Sequence, residues 1–173
     1  MAEHAVLITA AEIAERVERL AAQVAREVDD DTVAVCLLTG GLWFAADLTR
    51  ALSRHGRNLA FDALWIASYG DEMATSGRVL LRAGLQRSVE GRKVLVIDDV
   101  MDSGLSLKEA VRLLQDAGAA RVITCCFARK PWPEPRETVC DFVAWEAPAR
   151  FLAGYGMDVG ARYRGCPDVV ALD

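Results

Sequence analysis

Val94-Leu-Val-Ile-Asp-Asp-Val-Met-Asp-Ser-Gly-Leu-Ser-Leu107 is the stretch around which this chain is organised. Four apolar residues in a row, Val94 to Ile97, predict a strand buried on both faces, as in a parallel sheet. The strand runs into Asp98 and Asp99, then Val100 and Met101, then a third acid, Asp102, and Ser103-Gly104-Leu105-Ser106. A helix is expected next, with Ser106-x-x-Glu109 as a capping box at its start. Strand, loop and helix N-terminus together make an anion cradle of backbone N–H groups, two hydroxyls and the positive end of a helix dipole. The carboxylates just ahead of it cannot hold phosphate; they suit ribose hydroxyls, a metal ion or a proton in transit. Either half alone is ordinary in an α/β fold. Three carboxylates within five residues repel one another, however, and cost stability unless a cation or a hydroxyl-rich ligand uses them. A ligand with both a sugar and a phosphate satisfies both halves.

The 173 residues predict one domain with a sizeable core, and 53% apolar against 26% charged content makes it globular rather than disordered. A net charge of −5 leaves no basic footprint, which argues against a nucleic-acid partner, and a polyanionic substrate would need a divalent cation to screen it. The five cysteines (36, 125, 126, 140 and 166) are odd in number and form no C-x-x-C pair, so reduced thiols and a cytoplasmic location are expected. Cys125 and Cys126, adjacent in a strand, should point to opposite faces. The acidic N-terminus lacks the apolar segment of a signal peptide, and no apolar run is long enough to cross a bilayer.

In chain order, Thr9-x-x-Glu12 is a capping box that starts a helix at residue 10, with Ile13, Val17, Leu20, Val24 and Val28 as its apolar stripe. Asp29-Asp30-Asp31 reads as a solvated turn. Val33 to Leu38 predicts a buried strand leading through Thr39-Gly40-Gly41 into a helix over 42–52, a geometry that lets backbone approach an anion. A strand over 59–69 precedes a small, polar, glycine-bounded loop, Gly70 to Gly77, long enough to suggest a lid, and a short strand over 79–81. A helix over 107–117 should stop at Gly118. The strand Val122 to Ala128 delivers Arg129-Lys130-Pro131 to the carboxyl edge of the sheet, where ligands of open α/β sheets sit. Beyond the rigid Trp132-Pro-Glu-Pro135, strands over 140–145 and 169–172 flank an irregular segment holding Phe151 to Gly156, Asp158 and Arg162-Tyr163-Arg164.

The central stretch VLVIDDVMDSGLSL closely resembles the phosphoribosyl diphosphate (PRPP) signature of type I phosphoribosyltransferases. Its third acid, Asp102, is similar to that of the members acting on 6-oxopurines. Leu38-Thr-Gly-Gly41 resembles the family's pyrophosphate loop, Ser68-Tyr69 the pair opening its catalytic lid, and Lys130-Pro131 its contact to purine O6. FLAGYGMDVGARYR (Phe151 to Arg164) is similar to the hood of hypoxanthine-guanine phosphoribosyltransferases. Order and spacing of all five blocks agree. The resemblance implies a type I phosphoribosyltransferase-like α/β fold: a central, mostly parallel, twisted sheet flanked by helices, in one domain over 1–173, with a small C-terminal hood from about residue 130. It implies Mg²⁺-dependent transfer of phosphoribose from PRPP to hypoxanthine or guanine, giving IMP or GMP and pyrophosphate, in a homodimer or homotetramer.

By the same resemblance, Ser103, Gly104, Leu105 and Ser106 hold the 5′-phosphate, and Asp98 and Asp99 face the ribose and hydrated Mg²⁺. Thr39, Gly40 and Arg164 meet pyrophosphate. Asp102 is the general base at purine N7, Lys130 donates to O6, Phe151 stacks on the base and the Leu152 backbone reads its edge. Asp158 serves a second Mg²⁺ or its water, and Ser68 and Tyr69 open the lid, whose closure over residues 68–77 keeps out water. Four departures stand out. Thr39 replaces the usual basic residue, so a weaker grip on pyrophosphate is expected. Asp98 replaces the frequent Glu, and Ser106 the more usual Thr. The arginine usually found just after lysine-proline is out of register, with Glu134 near its place and Arg136 two residues off. The competing readings are a non-catalytic regulator that senses nucleotides or PRPP on the same fold, and an enzyme preferring xanthine.

Overall fold

The computed structural model describes residues 5–68 and 79–172. Its elements run β1 (Ala5–Ile8), α1 (Ala10–Val24), β2 (Val33–Leu38), α2 (Leu42–Arg54), β3 (Ala60–Ser68), β4 (Val79–Ala83), β5 (Lys93–Met101), α3 (Leu105–Asp116), β6 (Arg121–Arg129), β7 (Phe142–Glu146), β8 (Leu152–Ala153) and β9 (Val169–Ala171). A six-stranded sheet has the order β4-β3-β2-β5-β6-β7. Only its edge strand β4 is antiparallel; β2 lies parallel to both β3 and β5, with Cys36 opposite Ala63 on one side and Ile97 on the other.

Both faces of the sheet are covered, which is why its central strands are uninterrupted apolar runs. Ala34, Cys36, Leu95, Ile97, Ile123, Cys125 and Phe127 pack under α1 and α2. Their neighbours Val33, Val35, Val94, Val96 and Cys126 pack under α3, through Leu107, Ala110 and Leu114. Cys125 and Cys126 thus face opposite layers, and the five cysteines are free thiols. The capping box of α1 is formed: Thr9 Oγ1 accepts from Glu12 N at 3.3 Å, and the Glu12 carboxylate accepts from Thr9 N at 2.8 Å. Asp29 is less solvated than its acidic run suggests, because Lys93 Nζ reaches it at 2.6 Å.

Three features differ from the sequence reading. β1 gave no periodic signal, since Ala5 and Val6 are exposed; it pairs antiparallel with β9, which pairs with β8, so the N-terminus supplies an edge of the second sheet. β5 does not stop at Ile97 but carries both acids inside the ladder, with Asp98 opposite Cys126 and Met101 opposite Arg129. The Ser106/Glu109 capping box does not form. Gly104 takes a left-handed φ of +84° and turns the chain into α3 at Leu105, which places Ser106 within the first turn rather than ahead of it. Glu109 pairs with Arg112 instead, at 2.7 Å.

Candidate active site

The chain lays β3 to one side of β2 and β5 to the other, so the strand order reverses between β2 and β5. Outside the carboxyl ends of these two strands a crevice is unavoidable, because the connections leave in opposite directions. Thr39-Gly40-Gly41 forms one wall, entered through a cis Leu38–Thr39 peptide, and Asp98-Asp99 forms the other. The walls touch. A Cβ on Gly40 would lie 1.9 Å from Asp99 Oδ2, and one on Gly41 would lie 2.7 Å from the Leu37 carbonyl oxygen. Both glycines are therefore demanded by close approach, not merely by a tight turn.

Asp98 Oδ1 accepts from Asp99 N at 3.0 Å, and Asp99 Oδ1 accepts from Val100 N at 2.8 Å. Burial pushes the Asp98 carboxyl well above the usual carboxylate range, and the neighbouring Asp99 charge adds to it. Burial raises Asp99 too, although its hydrogen bonds and the Arg164 charge pull it back. The buried Cys36 thiol beneath them is pushed up to about 12, by burial first and then by the two Asp charges. A cation would relieve this pair. Among the described residues no cluster of three or more His, Cys, Asp or Glu side chains could hold a metal. Two adjacent carboxylates fit Mg²⁺, which keeps several waters and takes its other ligands from a substrate diphosphate.

The C-terminal segment closes over this crevice. Gly156, at φ +97°, lies so close to the pyrophosphate-loop candidate that a Cβ would sit 2.2 Å from the Gly40 carbonyl oxygen. Arg164 Nη1 donates to the Gly156 carbonyl at 2.5 Å, and its Nη2 pairs with Asp158 Oδ1 at 2.6 Å. Asp158 Oδ2 accepts from Ala161 N at 2.7 Å. Tyr155 anchors the segment, with its hydroxyl donating to Asp47 at 2.9 Å and its ring edge-on to Phe127. Gly156→Ala combines left-handed strain with a backbone clash, and is expected to cost about 2–4 kcal/mol, read as a lowered melting temperature.

At the end of β5, Ser103 Oγ accepts from Leu105 N at 3.3 Å and Lys108 N donates to the Gly104 carbonyl at 2.9 Å. The amides of Ser106 and Leu107 are left as donors at a helix N-terminus with no acid in its first turn, an arrangement suited to an anion. Beside this loop, Lys130 Nζ stands 3.2 Å from Asp102 Oδ1. Phe151 lies outside the core, 57% exposed, at the start of β8. Leu172 N donates to the Phe151 carbonyl, so the ladder alternation turns Leu152, opposite Ala171, to present its own N–H and C=O away from β9, on the free edge of that sheet.

The predicted residues thus fall into three sets. Gly40, Asp99, Asp158 and Arg164 adjoin one another, joined by Gly156, which was not among the predicted residues, and Asp102 pairs with Lys130 just ahead of Ser103 to Ser106 in the chain. Phe151 and Leu152 line the edge of the smaller sheet. Ser68 ends β3, while its partner Tyr69 and the expected lid lie outside the described residues. One residue noted in the sequence only as out of register has a clear place. Arg136 Nε donates to the Asp102 carbonyl at 3.1 Å and its Nη2 to the Lys130 carbonyl. Its displacement from the familiar position hid that role.

The crevice lies at the switch point of an open α/β sheet, with paired acids near the end of β5 and free amides at the start of α3. The chain belongs to the phosphoribosyl transferase domain family, whose model matches residues 7–159. Within that class it is similar to hypoxanthine-guanine phosphoribosyltransferases. It is 36% identical over 168 residues to that of Bacillus subtilis, covering 96% of this chain and 92% of that one. To that of Dictyostelium discoideum it is 34% identical over 164 residues, covering 94% and 91%. Its fold superposes on a hypoxanthine phosphoribosyltransferase from Trypanosoma cruzi with a TM-score of 0.89 at 28% identity, covering 100% of this chain and 94% of that one. The Staphylococcus aureus hypoxanthine phosphoribosyltransferase gives 0.88 at 27%, covering 97% and 90%.

Proposed function

We propose that this chain is a purine-salvage enzyme that transfers the 5-phosphoribosyl group from PRPP to hypoxanthine or guanine, releasing pyrophosphate. One observation carries the choice of base: the Asp102 carboxylate and Lys130 ammonium stand 3.2 Å apart, an acceptor beside a donor. A 6-oxopurine presents the complementary edge, N7–H beside the O6 acceptor. Adenine places an amino group where O6 would be and offers Lys130 no acceptor.

The reaction breaks the ribose C1–O bond to pyrophosphate while a purine nitrogen attacks C1, through a sugar of cationic character. Backbone amides at the start of α3, with the Ser103 and Ser106 hydroxyls, hold the 5′-phosphate. Asp98 and Asp99 engage the ribose hydroxyls. Thr39, Gly40 and Arg164 address pyrophosphate, and Asp102 takes the proton from N7 as C1 is attacked. Asp98 and Asp99 are the residues that would hold Mg²⁺, which when bound would supply charge neutralisation for the leaving diphosphate. Asp158 serves a second Mg²⁺ or its water, for which the Arg164 pair would have to open. Phe151 stacks on the base and the Leu152 backbone groups read its far edge. Ser68 and Tyr69 open a lid that keeps water from the activated sugar. We assign the enzyme to the cytoplasm, which its free thiols support, as a homodimer or homotetramer.

The direct test mixes protein, PRPP and Mg²⁺ with hypoxanthine, guanine, xanthine and adenine in turn. Nucleotide and pyrophosphate should form with hypoxanthine or guanine. Turnover with adenine alone overturns the roles given to Asp102 and Lys130.

A further inference from the structure

We propose that Arg136 is a positioning residue for base recognition: its guanidinium ties together the two strand ends that carry Asp102 and Lys130, and so sets the spacing of the acceptor–donor pair. The inference rests on the reading of those two residues as the purine contacts. Each follows directly on a strand, and the last residues of these strands, Met101 of β5 and Arg129 of β6, are in register. There the parallel ladder ends. Lys130 N donates to the Met101 carbonyl at 3.1 Å, and the next two carbonyls, of Asp102 and Lys130, have no further strand to accept from.

Arg136 supplies the donors. Its Nε binds the Asp102 carbonyl at 3.1 Å and its Nη2 binds that of Lys130, so one half-buried planar fork spans both strand ends. An ammonium has no such fixed two-pronged geometry. The residues after it secure the fork: Glu137 N donates to the Ser103 carbonyl at 2.9 Å, and the Glu137 carboxylate pairs with Lys108 at 2.8 Å. The guanidinium binds backbone carbonyls and no reacting atom, so its effect is on placement. Slippage of about 1 Å between the strand ends would separate Asp102 from Lys130 and can cost about 10²-fold in rate.

The test compares Arg136→Ala and Arg136→Lys with wild type, using hypoxanthine and PRPP, beside Asp102→Asn and Lys130→Gln. Arg136→Ala should lose about 10²-fold in kcat with a raised KM for hypoxanthine, while the KM for PRPP stays within about twofold. Free guanidinium ion should restore part of the loss, and ammonium at equal ionic strength should not. Arg136→Lys should remain impaired. Wild-type kcat and base KM in Arg136→Ala overturn the proposal, as does a loss that guanidinium leaves untouched and that raises both KM values alike. If Arg136→Ala does not fold, Arg136→Lys carries the same test through the split between the two KM values. Normal Arg136 variants beside impaired Asp102 and Lys130 variants reject the positioning role alone, whereas unaffected Asp102 and Lys130 variants reject the base-reading assignment itself.

Discussion

Asp102→Asn is expected to lower kcat for hypoxanthine by about 10²–10⁴ while leaving the KM for PRPP nearly unchanged. The substitution is isosteric and keeps an oxygen to face Lys130, now 3.2 Å from the carboxylate. It removes the capacity to take a proton together with the charge that pairs with Lys130. Asp102 lies one residue beyond β5 and apart from the Asp98-Asp99 pair, so ribose and diphosphate contacts should survive. Steady-state kinetics with each substrate varied separately will show the split. A variant within about threefold of wild type would remove Asp102 from the proton-transfer step, since general-base terms are seldom that small.

Replacing both paired acids, Asp98→Asn with Asp99→Asn, should pull activity and stability in opposite directions. The kcat/KM for PRPP should fall by about 10²-fold or more, because the ribose and cation contacts are lost together. The unliganded protein should melt at a higher temperature near neutral pH. Burial raises both carboxyls in the folded chain. Below about pH 4, where the unfolded carboxyls are also protonated, the pair imposes no differential penalty. As pH rises past that point the unfolded chain loses its protons first, so wild-type stability declines until the folded pair has itself ionised. The amide variant lacks this decline. Melting curves from pH 4 to 8 should therefore show a gap that opens with rising pH and that closes in wild type on adding Mg²⁺ with PRPP. A gap that narrowed with rising pH would contradict the buried-charge account.

Much of this site was legible in the chain because its chemistry is local. Asp98, Asp99, Asp102 and Ser103 to Ser106 follow one another within nine residues, so the order strand, acids, loop, helix needed no long-range contact to be read. Capping-box spacing at Ser106 and Glu109 was real in the sequence, yet Gly104 in the left-handed region moved the helix start ahead of it. β1 was invisible, because a four-residue edge strand with two exposed positions has no period to detect. Arg136 stands two residues from the place the resemblance leads one to expect, and its sequence position alone does not show what it binds. Backbone carbonyls do not care about register in sequence, only about reach.

What the amino-acid order determined alone was the alternation of buried strands with helices, the acid-rich strand end and the kind of ligand it suits. Those follow from periodicity and from charge repulsion between neighbours. Only the tertiary structure decided that Gly40 must lack a side chain because Asp99 fills the space, and that Gly156 abuts the same loop from more than a hundred residues away. It also decided that Arg136 joins two strand ends. These are contacts between segments far apart in the chain. Their distances are set by how the sheet and its helices pack, which no local pattern of residues encodes.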